Sequence, residues 1–121
     1  MLILLAHGSR DPAWRGSLHA LAEAVETRLA KGRVEIAFMQ FNGPTLPEVL
    51  GKAIATGERR FELFPMFMAS AGHVDKDIKP MVAELAKAHP GVQLHLMTPV
   101  GEDPLLPGLI ATIVSGSTES I

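Results

Sequence analysis

The sequence predicts an α/β fold, a three-layer sandwich around a four-stranded parallel sheet of order 2-1-3-4. Three observations predict it. Four short apolar runs alternate with four longer stretches of helical period, the pattern of successive βα units. The first and third runs are apolar on both strand faces, as strands covered on both sides are. Capping signals open three of the helical stretches and fix where strands give way to helices.

The first run is Leu2-Ile3-Leu4-Leu5-Ala6 and the third is Phe61-Glu62-Leu63-Phe64-Pro65-Met66-Phe67; both read as central strands. The second sets Val34, Ile36 and Phe38 against Arg33 and Glu35. The fourth sets Val92, Leu94 and Leu96 against Gln93 and His95, and this alternation suits edge strands. With two central and two edge strands, right-handed crossovers give the order 2-1-3-4, the flavodoxin-like arrangement.

Asp11-Pro12 and Asp103-Pro104 each place a side-chain acceptor before a proline suited to the first helical position. Thr45 and Glu48 have the spacing of a capping box. Helix one carries Leu18, Leu21, Ala22, Val25 and Leu29 on one face and ends near Gly32. Helix three carries Ile78, Met81, Val82, Leu85 and Ala86. Helix four repeats the pattern with Leu105, Leu106, Leu109, Ile110, Ile113 and Val114. Residues 1–114 read as one domain and 115–121 as a flexible tail.

Composition narrows the function. Of 121 residues, 47% are hydrophobic and 20% charged, which supports a single globular core. There is no cysteine, so disulfides, thiolate metal sites and cysteine nucleophiles are excluded, leaving imidazole and oxygen chemistry. The N-terminal run has no basic flank and is interrupted by His7, which argues against a signal peptide or a membrane span and predicts a cytoplasmic protein. A net charge of −2 without a basic stripe argues against nucleic-acid binding. Neither a Gly-x-Gly-x-x-Gly loop nor a Walker loop is present, so no nucleotide is expected.

In a 2-1-3-4 sheet, ligands bind beyond the C-terminal ends of strands one and three, where the chain changes direction. His7 follows strand one directly, and His73 follows strand three through Met68-Ala69-Ser70-Ala71-Gly72. Neighbouring strands lie about 5 Å apart, so the two imidazoles are expected to converge as catalytic and metal-handling residues. His19, His89 and His95 read as surface residues, on helix one, at a helix end and on the outward face of an edge strand. Ser9 reads as a capping or hydrogen-bonding hydroxyl, since it lacks the flanks of a nucleophile elbow.

Leu4-Leu5-Ala6-His7-Gly8-Ser9-Arg10-Asp11-Pro12, Pro44-Thr45-Leu46-Pro47-Glu48, and Pro65-Met66-Phe67-Met68 leading into Gly72-His73-Val74 and Asp77-Ile78 together resemble the small CbiX-type class II chelatases, the sirohydrochlorin cobaltochelatase and ferrochelatase family. The resemblance implies a chelatase-like fold and insertion of a divalent metal into sirohydrochlorin without ATP, on the way to cobalamin or siroheme. It implies Co²⁺ as the metal, with Fe²⁺ or Ni²⁺ as alternatives, a homodimer, and His7 and His73 as the active-site pair. It also implies a carboxylate between Met39 and Pro44, where this chain offers Gln40, Asn42 and Gly43 instead.

A flat tetrapyrrole fringed with carboxylates calls for an apolar wall, assigned to Met66, Phe67 and Met68, and for cations, assigned to Arg10, Lys76 and Lys79. Ser9 and Gly72, beside the two histidines, complete the substrate-facing set. Two further readings share these residues. One is a metal or tetrapyrrole carrier of the same fold without turnover. The other is a histidine phosphatase, suggested by His7-Gly8 but lacking the arginine that its Arg-His-Gly signature has where Ala6 stands.

Overall fold

The computed structural model describes residues 1–8, 14–29, 32–40, 43–68 and 74–119. In chain order it holds β1 (Leu2–Ala6), α1 (Trp14–Arg28), β2 (Val34–Phe38), α2 (Leu46–Ala55), β3 (Arg60–Pro65), a π-helical turn (Val74–Ile78), α3 (Lys79–Ala88), β4 (Gln93–Leu96), a 3-10 turn (Val100–Glu102) and α4 (Leu106–Glu119). The Asp11-Pro12 capping pair lies outside the described residues. All strand pairs are parallel and the order is β2-β1-β3-β4, the order the strand patterning predicts.

Each face of the sheet has its own core. Ile3, Leu5, Ala37, Phe61 and Leu63 point to the face covered by α2 and α3, where they meet Leu46, Val49, Leu50, Ala53 and Ile78. Leu4, Ala6, Val34, Ile36 and Phe38 point the other way and meet Leu18 and Ala22 of α1. β1 is therefore dry on both sides, from Ile3 to Ala6. That is why its sequence shows no alternation.

Three expectations need correction. β3 is buried on one face only: Phe61, Leu63 and Pro65 are inside, Glu62 is exposed and Phe64 half-buried. Leu21 on α1 and Leu29 just past its end stand exposed, and the sheet-facing stripe of α1 is the narrower set Leu18, Ala22 and Val25. α4, whose spacing ordinarily covers a core, is exposed along most of its apolar stripe. These facts are connected, because the sheet strip over β3 and β4 on the α1 face has no substantial packing from α4. Glu62 and His95 pair across that strip, as neighbours in the β3–β4 register. α4 ends at Glu119.

The caps behave as the sequence indicates where they are described. Thr45 and Glu48 form a reciprocal capping box: the Glu48 N–H donates to Thr45 Oγ1 (3.4 Å) and the Thr45 N–H to Glu48 Oε1 (3.5 Å). Asp103 Oδ1 accepts from the Leu105 N–H (2.8 Å) just ahead of α4. Thr45→Ala is expected to cost about 1 kcal/mol, read as a lower urea midpoint at unchanged slope.

Candidate functional site

The β1–β2 ladder continues past both strands: the Met39 N–H donates to the Ala6 carbonyl (2.9 Å) and the Gln40 N–H to the His7 carbonyl (3.0 Å). His7 is thereby held at the C-terminal end of the sheet with Gln40 beside it. Gly8 follows at φ 95°, a left-handed conformation that glycine adopts without strain and that turns the chain out of the strand direction. The loop after β2 closes where the Phe38 N–H meets the Pro44 carbonyl (2.9 Å) and Phe38 bridges Thr45.

The His7 ring stacks on Phe67, with centroids 3.9 Å apart and planes 26° from parallel. Phe67 is only 2% exposed and belongs to the core on the α2–α3 face. One face of the imidazole thus rests against a buried ring. His7 and Phe67 line a cavity of about 280 Å³ with Met39 and Gln40 from the end of β2 and with Asp77, Ile78 and Met81 from the π-helical turn and α3. The cavity therefore spans the ends of β2, β1 and β3, where the strand order reverses. A larger cavity of about 480 Å³, lined by Met1, Arg33 and Lys52 among others, has no histidine in its wall.

Asp77 is the lining group that sequence reasoning passed over. It entered the sequence reading only within the Asp77-Ile78 segment of the family resemblance, with no role assigned; its signal was its position four residues after His73. The structure places Asp77, exposed to solvent, in the lining of the same open cavity as His7 and Gln40, on the turn that precedes α3.

The remaining candidates separate. Met66 packs on the α1 face, Phe67 on the α2–α3 face, and Met68 is 63% exposed, so the three do not form one wall. The period of a strand explains this, since consecutive residues alternate sides. Lys76 and Lys79 are exposed, and neither is in the cavity wall. Gly43 lies with Pro44 in a separate cavity beneath α1. Ser9, Arg10, Asn42, Gly72 and His73 lie outside the described residues.

One glycine locks the region. The Gly101 N–H donates to the Phe67 carbonyl (3.0 Å), and a Cβ on Gly101 would fall 1.7 Å from the Met68 carbonyl oxygen. Only a residue without a side chain lets the 3-10 turn press this closely on the chain leaving β3.

The CbiX family model matches residues 1–116 of this sequence. The chain belongs to the CbiX family. It is 38% identical over 88 residues to a sirohydrochlorin cobaltochelatase of Methanocaldococcus jannaschii, a stretch covering 73% of this chain and 62% of that one. It is equally identical over 77 residues to the Methanococcus aeolicus protein of the same name, covering 64% and 54%. The match thus spans little more than half the length of these curated relatives.

A CbiX protein from Marinobacter aquaeolei VT8, solved at 1.60 Å, superposes with a TM-score of 0.87 at 32% identity, covering 99% of this chain and 98% of that one. The sirohydrochlorin chelatase SirB of Bacillus subtilis subspecies spizizenii, solved with cobalt, shares the fold at TM-score 0.81 and 20% identity; 95% of this chain matches 49% of that one.

Gly101→Ala is expected to destabilise the CbiX chain by about 1–3 kcal/mol through overpacking against Met68. Gly51→Ala, inside α2 with open space around it, is expected to stabilise by about 0.5–1 kcal/mol. Parallel urea titrations of the two variants check both signs.

Proposed function

We propose that this chain inserts a divalent metal ion, Co²⁺ with Fe²⁺ or Ni²⁺ as alternatives, into a sirohydrochlorin-like tetrapyrrole without nucleotide, as a cytoplasmic homodimer. The observation that carries the reading is an imidazole, His7, clamped on Phe67 over a cavity at the strand-reversal point of a CbiX-family chain. None of the described helices is long and apolar enough to cross a membrane.

Insertion must strip water from the ion and remove two protons from pyrrole nitrogens. Neutral imidazole both ligates such ions and accepts protons near neutral pH, so His7 suits either step. Its ring plane is set by Phe67, which removes the reorientation that a mobile side chain would undergo. Asp77 supplies the carboxylate that the segment from Met39 to Pro44 lacks, as an oxygen ligand or as the second proton acceptor, and Gln40 adds an amide oxygen. His73 is proposed as the second imidazole.

In this reading the ion occupies the cavity that His7 lines and the macrocycle lies across its mouth. Among the described residues no group of three His, Cys, Asp or Glu side chains converges as a metal cage.

His7→Ala is expected to slow Co²⁺ insertion by about 10²–10⁴-fold and Asp77→Asn by about 10²-fold, both with wild-type circular dichroism. His73→Ala is expected to match His7→Ala. The assay is absorbance of the metallated macrocycle at saturating Co²⁺. Wild-type rates in both histidine variants would overturn the assignment, and stoichiometric binding without turnover by the wild type would select the carrier.

A further inference from the structure

The helical backbone begins ahead of α3. Ile78, the residue before α3, has φ −82° and ψ −49° with no side-chain cap, and the π-helical turn Val74–Ile78 runs into the helix without a break. Pro80 therefore sits in the interior of one helical stretch, residues 74–88. In a first turn a proline is harmless, because its missing N–H has no partner to lose. Inside a helix it is not. An α-helical register here would aim the Lys76 carbonyl at the Pro80 nitrogen, which carries no hydrogen, and would set the pyrrolidine ring against that carbonyl. A π register bonds residues five apart instead of four, and its wider turn makes room for the ring.

We infer that Pro80 is a positioning residue: it holds the turn ahead of α3 in the π register, and that register directs Asp77 into the lining of the His7 cavity. The inference rests on the role proposed for Asp77 as an oxygen ligand or proton acceptor.

The neighbours of Asp77 show what register decides. Ile78 is 1% exposed and belongs to the core on the α2–α3 face. Lys76 is exposed and outside the cavity lining, while Asp77 between them is within it. With Ile78 anchored, the rotation from one residue to the next sets where Asp77 points. That rotation is about 100° in an α-helix and smaller in the wider π turn. Converting the turn to the α register would swing Asp77 about the helix axis, away from the place it holds beside Ile78 and Met81 in the cavity lining.

Pro80 is itself exposed, so Pro80→Ala takes little from the core while restoring the N–H that the helix lacks. The variant is expected to show a raised urea midpoint, and in a crystal structure an α-helical turn in place of the π turn. Titration of the full chain with Co²⁺ alone, followed by the d–d absorbance of the ion, is expected to show affinity lowered roughly tenfold in Pro80→Ala and in Asp77→Asn. The variant carrying both changes is expected to bind no more weakly than Asp77→Asn, because Pro80 acts through that carboxylate. Pro90→Ala, beyond the other end of α3, is expected to bind as wild type does.

A π turn retained in Pro80→Ala, a lowered urea midpoint, unchanged Co²⁺ affinity, or additive losses in the double variant would each overturn the inference. Affinity is read apart from turnover. A chain that shows this coupling and inserts no metal upholds the positioning role and rejects the chelatase; an active chain whose affinity and rate are untouched by Pro80→Ala does the reverse.

Discussion

The structure depends on β1 being dry on both faces. A strand packed between two helical layers and hydrogen-bonded to β2 and β3 on its two edges has no freedom of position, so the residue that follows it is placed by the whole fold. That residue is His7. The ladder bond from the Gln40 N–H to its carbonyl and the stack on Phe67 fix it further. In the proposed reaction, an imidazole that takes up a metal and gives it on gains from such placement, because preorganisation leaves little to rearrange when the ion arrives.

Much of this was legible in the sequence. The unbroken apolar run of β1 and the alternation in β2 and β4 sufficed for the strand order, because burial on two faces and burial on one leave different patterns. The same patterns put His7 at the crevice end of β1. The resemblance to CbiX-type chelatases, carried by the segments around His7, Thr45 and Asp77, agrees with the family match over residues 1–116.

What was not legible has physical causes. Asp77 drew no role of its own because periodicity reports which side of a helix faces the sheet and says nothing of which end overhangs a crevice. Met66, Phe67 and Met68 looked like one surface because adjacency in sequence suggests adjacency in space, yet β3's period sends Met66 and Phe67 to opposite layers. Gly101 carried no visible signal, since the neighbour that demands a missing Cβ is the backbone of Met68, distant in the chain.

The half-bare β3 and the exposed α4 are two sides of one fact. A third layer complete over all four strands would bury Phe64 and cover the Glu62–His95 pair; among the described residues, the buried cluster on the α1 face is built on β1 and β2 instead. Spacing of apolar residues shows that α4 has a face to bury and leaves open what it is buried against. The distinction matters for the site. Had α4 lain on its own sheet, its base at Gly101 would serve the fold alone. As it stands, the 3-10 turn at its base is tied to the Phe67 carbonyl through Gly101, so the segment leading into α4 braces the ring on which His7 stacks.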